Sequence, residues 1–76
     1  MPAKKSAAVQ ALGEAIRAAR REQGYGQDGF AARVGLDRSY FGAVERGEFN
    51  VTIDTLLKIA AGLGIRASIL LRRAQL

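Results

Sequence analysis

The chain contains no cysteine and no histidine. That excludes disulfides, thiol chemistry and the usual zinc sites. No Gly-rich phosphate loop is present either. The sequence therefore offers no catalytic equipment, calls for no cofactor or metal, and is read as that of a non-enzyme. Proline occurs once, at Pro2, and no segment alternates apolar and polar residues with period two over a useful length, so no sheet is expected. No apolar run approaches the roughly 18–20 residues needed to span a bilayer. The Ala7-Ala8-Val9 run ends at Gln10, too short for a signal-peptide core, and a cytoplasmic protein is expected. Acidic residues are scarce, 7 against 12 Lys and Arg, for a net charge of +5 and a pI near 10.5. Such an excess suits phosphate or an anionic membrane surface, and charge alone does not choose between them.

What remains is a chain of 76 residues, 49% hydrophobic, with room for one domain and one modest core. Residues 1–6 read as a flexible basic arm carrying Lys4 and Lys5, and residues 7–76 as an all-α domain of five helices. Val9, Leu12, Ile16 and Ala19 recur at helical spacing in a first helix from about Ala7 to Gln23, with Ser6 as N-cap and Gly24 as stop. Helix 2 is expected over Gln27 to Val34 and helix 3 over Arg38 to Arg46, closed by Gly47. Thr52 caps helix 4, whose buried stripe is expected to be Ile53, Leu56, Leu57, Ala60 and Leu63, and Gly64 stops it. A short fifth helix is expected over about Ala67 to Ala74.

The segment QDGFAARVGLDRSYFGAVER, Gln27 to Arg46, is the most specific feature. Phe30, Val34, Leu36, Phe41 and Val44 are apolar where two short crossed helices must share a core, and Ala31 is small where they approach. Gly35 sits at the sharp turn, which needs a positive φ that Gly adopts without steric cost. Asp37 is placed to cap the following helix. The pattern is that of a helix-turn-helix, whose second helix lies in the major groove of DNA.

These residues, with LGEAIRAARREQG before them and TIDTLLKIAAGLGI after the loop, resemble the lambda repressor-like helix-turn-helix domains of the Cro and phage-repressor (XRE) type. The compact size is also similar to the controller proteins of restriction-modification systems. The resemblance implies roles residue by residue. Gln27 would donate to a phosphate and brace the start of the recognition helix. Arg38, Ser39, Gly42 and Ala43 would face the groove. Arg38 would bond O6 and N7 of guanine, an interaction worth roughly 1–3 kcal/mol of discrimination. Ser39 would meet a base or phosphate, and Ala43 a thymine methyl. The Tyr40 hydroxyl would reach the DNA backbone, and Arg46 and Asn50 would contact phosphates. Glu45 would pair internally with Arg20 rather than touch DNA.

The chain departs from the family pattern at Gly26, where Ser or Thr commonly caps helix 2, and at Gly29 and Gly42 inside helices. An interior Gly costs roughly 0.5–1 kcal/mol against Ala. Either these helices are softer than usual, or Gly42 and Ala43 let the recognition helix approach the bases more closely.

A single module binds weakly, whereas a homodimer reads two half-sites of a palindromic operator about one helical turn apart, roughly 34 Å. Ile65, Ile69, Leu70, Leu71 and Leu76 are the candidate dimer surface, unless Ile65, Ile69 and Leu70 belong to the monomer core. The function implied is an autoregulatory transcriptional regulator acting on double-stranded DNA, with no small-molecule effector. The alternative is an antitoxin-like module that binds a toxin partner.

Overall fold

The computed structural model describes residues 6–76; Lys4 and Lys5 of the expected arm lie outside them. Five helices follow one another: α1 (Ala7–Glu22), α2 (Gln27–Val34), α3 (Arg38–Glu45), α4 (Ile53–Leu63) and α5 (Ala67–Arg73). No strand occurs among the described residues.

The expected caps close three of the helix starts. Ser6 Oγ accepts from the Val9 amide, Asp37 from the Tyr40 amide and Thr52 Oγ1 from the Thr55 amide, each at 3.1 Å. Each bond satisfies an amide that the helix itself leaves unpaired. Gly26 stands at the start of α2 without a side-chain cap, and Asp28 is the acid of that first turn. Gly35 ends α2 at φ +74°, the left-handed conformation that the tight turn into α3 requires.

The core sits where α1, α3 and α5 meet α2 and α4. Phe30, Phe41, Ile16, Ile59, Leu70 and Val44 are its largest fully buried side chains. The rings of Phe30 and Phe41 lie 5.3 Å apart at 42°, joining the two helices of the turn motif directly. Two glycines set how closely the helices pack. A Cβ on Gly13 of α1 would lie 2.6 Å from the carbonyl oxygens of both Val44 and Glu45, so only Gly allows α1 so near the end of α3. A Cβ on Gly62 of α4 would collide with the Val34 side chain of α2.

Three expectations are corrected here. Ile53 and Leu57 do not belong to the buried stripe of α4; they are 72% and 52% exposed. The buried face consists of Leu56, Ile59, Ala60 and Leu63. Leu70 is not a surface residue but lies fully inside the monomer core. Ala43 is only 4% exposed and faces inward, so its methyl is not offered to a groove.

Candidate nucleic-acid interface

The outer face of α3 begins where Asp37 fixes its first turn. Arg38 and Ser39 follow immediately and are both exposed. With Gln27, Asp28, Gly42 and Arg46 they line one shallow concavity between the start of α2 and the length of α3. Its cationic members are Arg38, 70% exposed, and Arg46, half exposed.

Beneath this face lies a buried ionic network. Glu45, on the inner side of α3, accepts from Arg20 Nε at 2.7 Å and from Arg20 Nη2 at 3.1 Å. Arg20 Nη1 also donates to the Tyr25 carbonyl at 2.8 Å, tying down the α1–α2 loop. Gln27 Nε2 donates to Glu45 Oε1 at 2.9 Å. Arg17 Nε stands 3.6 Å from the same oxygen, near enough for attraction but outside hydrogen-bond range. Burial pushes the Glu45 carboxyl up. The bonds from Arg20 and Gln27 and the charges of Arg20 and Arg17 outweigh that and hold it below the ordinary value of 4.5. The carboxylate thus joins α1, α2 and α3 through one shared set of bonds.

This geometry reassigns Gln27. Its amide nitrogen bonds Glu45 at the end of α3, so it braces the C-terminal end of the recognition helix rather than its start. The space over Gly42 is filled by neighbours: a Cβ there would meet Arg46 Nη1 at 3.2 Å and Gln27 Oε1 at 3.4 Å. The missing side chain accommodates those two groups.

Two acids face the exposed arginines. Arg38 Nη1 donates to Asp28 Oδ2 at 3.1 Å. Arg46 forms a two-pronged pair with Glu48, at 2.8 and 3.2 Å, which raises the Arg46 pKa. Neither acid was singled out in the sequence, although Asp28 directly follows Gln27 on the first turn of α2. The Tyr40 ring lies 6.1 Å from that of Phe49, at 31° to it. Asn50 is exposed in the α3–α4 loop.

Among the proposed dimer residues, Ile65 and Leu71 are half-buried against the core, Ile69 is half-buried, and Leu76 is 56% exposed. The exposed apolar residues that sequence reasoning missed are Ile53, Leu57 and Phe49. Ile53 and Leu57 are four residues apart and share one face of α4.

Two short helices crossed over a shared aromatic core, with a left-handed Gly between them and arginines on the second, define a helix-turn-helix domain. The Helix-turn-helix family model matches residues 16–70. The chain belongs to this family of DNA-binding transcription regulators, in its lambda repressor-like (XRE) branch. It is similar to the control protein C.MunI of a Mycoplasma species, 42% identical over 58 residues that make up 75% of this chain and 78% of that protein. It also resembles the immunity repressor of Bacillus phage phi105, 37% identical over 57 residues, 75% of this chain and 40% of the repressor. Among solved structures it is similar to the restriction-modification controller protein C.AhdI from Aeromonas hydrophila. That match has 40% identity and a TM-score of 0.83, over 86% of this chain and 98% of the other.

Proposed function

We propose that this protein is an autoregulatory transcriptional regulator that reads a palindromic operator as a homodimer, in the manner of a restriction-modification controller. The observation that carries the proposal is the first turn of α3. Arg38 projects there into solvent from a helix anchored by the buried Arg20–Glu45–Gln27 network. An anchored helix carrying an exposed arginine is what major-groove recognition of guanine needs. Ser39 beside it supplies a hydroxyl for a base or phosphate. Arg46, Tyr40 and Asn50 supply phosphate contacts around it, and Gln27 supplies the second hydrogen of its amide. The controller type is favoured by the share of C.MunI and C.AhdI that this chain matches.

The second copy docks on the C-terminal half. Its apolar residues are the exposed Ile53 and Leu57 of α4 and Leu76, with the half-buried Ile65, Ile69 and Leu71. An apolar pair this exposed costs a monomer solubility, and pairing removes it from water. Among the described residues no helix is long and apolar enough to cross a membrane, and the site of action is the cytoplasm, where the operator lies.

The test is fluorescence anisotropy on a duplex from immediately upstream of the protein's own gene, near physiological salt, with excess random competitor. Nanomolar binding that survives competitor and weakens in Arg38→Ala is expected. Micromolar binding abolished by competitor or salt would reduce the interaction to phosphate attraction and overturn autoregulation.

A further inference from the structure

We infer that Asp28 is the positioning residue that gives Arg38 its base specificity; this rests on the operator-reading function proposed above. Asp28 and Arg38 begin two different helices, yet their side chains meet at 3.1 Å in the concavity that faces DNA. Both are largely exposed, 66% and 70%, so neither is forced there by burial. A carboxylate on this face repels phosphate, on a protein whose overall charge of +5 attracts it. As the acid of the first turn of α2, Asp28 would favour the helix dipole without any partner. The contact to Arg38 is additional to that role.

The chemistry of guanidinium explains what the contact does. Arginine has five N–H donors in a planar fork. Asp28 takes one of them, at Nη1, and leaves an edge of the fork free. That edge can donate to O6 and N7 of a guanine while the opposite side stays bonded to the carboxylate. The fork is held in one plane before DNA arrives, so less rotamer freedom is lost on binding. On non-operator DNA the same carboxylate opposes a swing of Arg38 toward phosphate and adds its own repulsion. Asp28 therefore acts by separating the two binding modes, strengthening operator contact relative to non-specific contact.

The experiment compares wild type, Asp28→Ala, Asp28→Glu, Arg38→Ala and the Asp28→Ala/Arg38→Ala double variant. The probes are a duplex enriched by the wild type from a randomised pool and a random duplex of equal length. We expect Asp28→Ala to bind the random duplex more tightly and to lose about tenfold in the ratio of the two affinities, within what one arginine–guanine pair provides. Asp28→Glu should recover most of that ratio. In the Arg38→Ala background, removing Asp28 should leave the ratio unchanged, because the two act as a unit. Unfolding midpoints of all five confirm that each is folded. If Arg38→Ala loses the ratio but Asp28→Ala keeps it, the role of Asp28 is overturned and the operator-reading function stands. If the wild type enriches no duplex, that function falls and the role of Asp28 falls with it.

Discussion

Glu45 shows what a single residue contributes here. Its carboxylate is fully buried, accepts three hydrogen bonds and joins three helices. Removing one partner of a buried ion pair leaves the other charge unpaired, which costs roughly 3–5 kcal/mol. Glu45→Ala should lower stability by that order in urea unfolding, and an unchanged midpoint would contradict the network. The pH dependence has a definite sign. Its folded pKa lies below 4.5, so its stabilisation is complete above that value and disappears as pH falls through the lower folded value. Urea midpoints measured from about pH 7 down to about pH 3 should therefore fall more steeply for the wild type than for Glu45→Gln, which has no carboxylate to protonate. The Arg20–Glu45 pairing was legible in the sequence through the family resemblance. The bond from Gln27 was not, because an amide near a helix start can turn outward to phosphate or inward to a carboxylate with equal ease.

Among the elements, the helix ends were legible and the helix faces only partly so. Ser6, Asp37, Thr52 and Gly35 each have a local chemical reason to start or stop a helix, and local chemistry is what a sequence displays. Helix α4 is apolar on more than one face: Leu56, Ile59, Ala60 and Leu63 on one side, Ile53 and Leu57 on another. Periodicity cannot decide which side α2 and α5 will cover, so the outward pair was assigned inward and Ile59 was passed over. Gly13 and Gly62 were invisible for a related reason, since their importance lies in carbonyls and side chains distant in the chain. Gly13→Ala should be strongly destabilising, by more than the roughly 1–3 kcal/mol usual for overpacking, because backbone rather than a side-chain tip blocks the new methyl. A stability equal to wild type in thermal unfolding would show that α1 can retreat from α3. Leu70→Ala separates core from interface. As a core change it should cost roughly 2–5 kcal/mol in the monomer itself, independent of protein concentration, whereas an interface residue would lose its effect on dilution.

In the whole molecule, α3 carries an exposed arginine and α4 an exposed apolar pair, Ile53 and Leu57. In the function proposed above, the first reads sequence and the second pairs two copies. Ile53→Asp combined with Leu57→Asp should leave helical content and monomer stability near wild type, since both side chains already meet solvent. It should convert a dimer to a monomer in sedimentation and weaken operator binding by well over tenfold. A dimer that survives both changes would place the interface elsewhere.

The central claim, that two symmetry-related α3 helices each read guanine through Arg38, is tested most directly by methylation interference. Guanines in the upstream duplex are methylated at N7, and bound DNA is separated from free DNA. The expected result is one interfering guanine in each half-site, the two related by the operator dyad and about one helical turn apart, roughly 34 Å. Arg38→Ala should become insensitive to methylation at those positions. Interference from phosphate ethylation alone, with guanine N7 methylation tolerated throughout, would contradict base reading by α3.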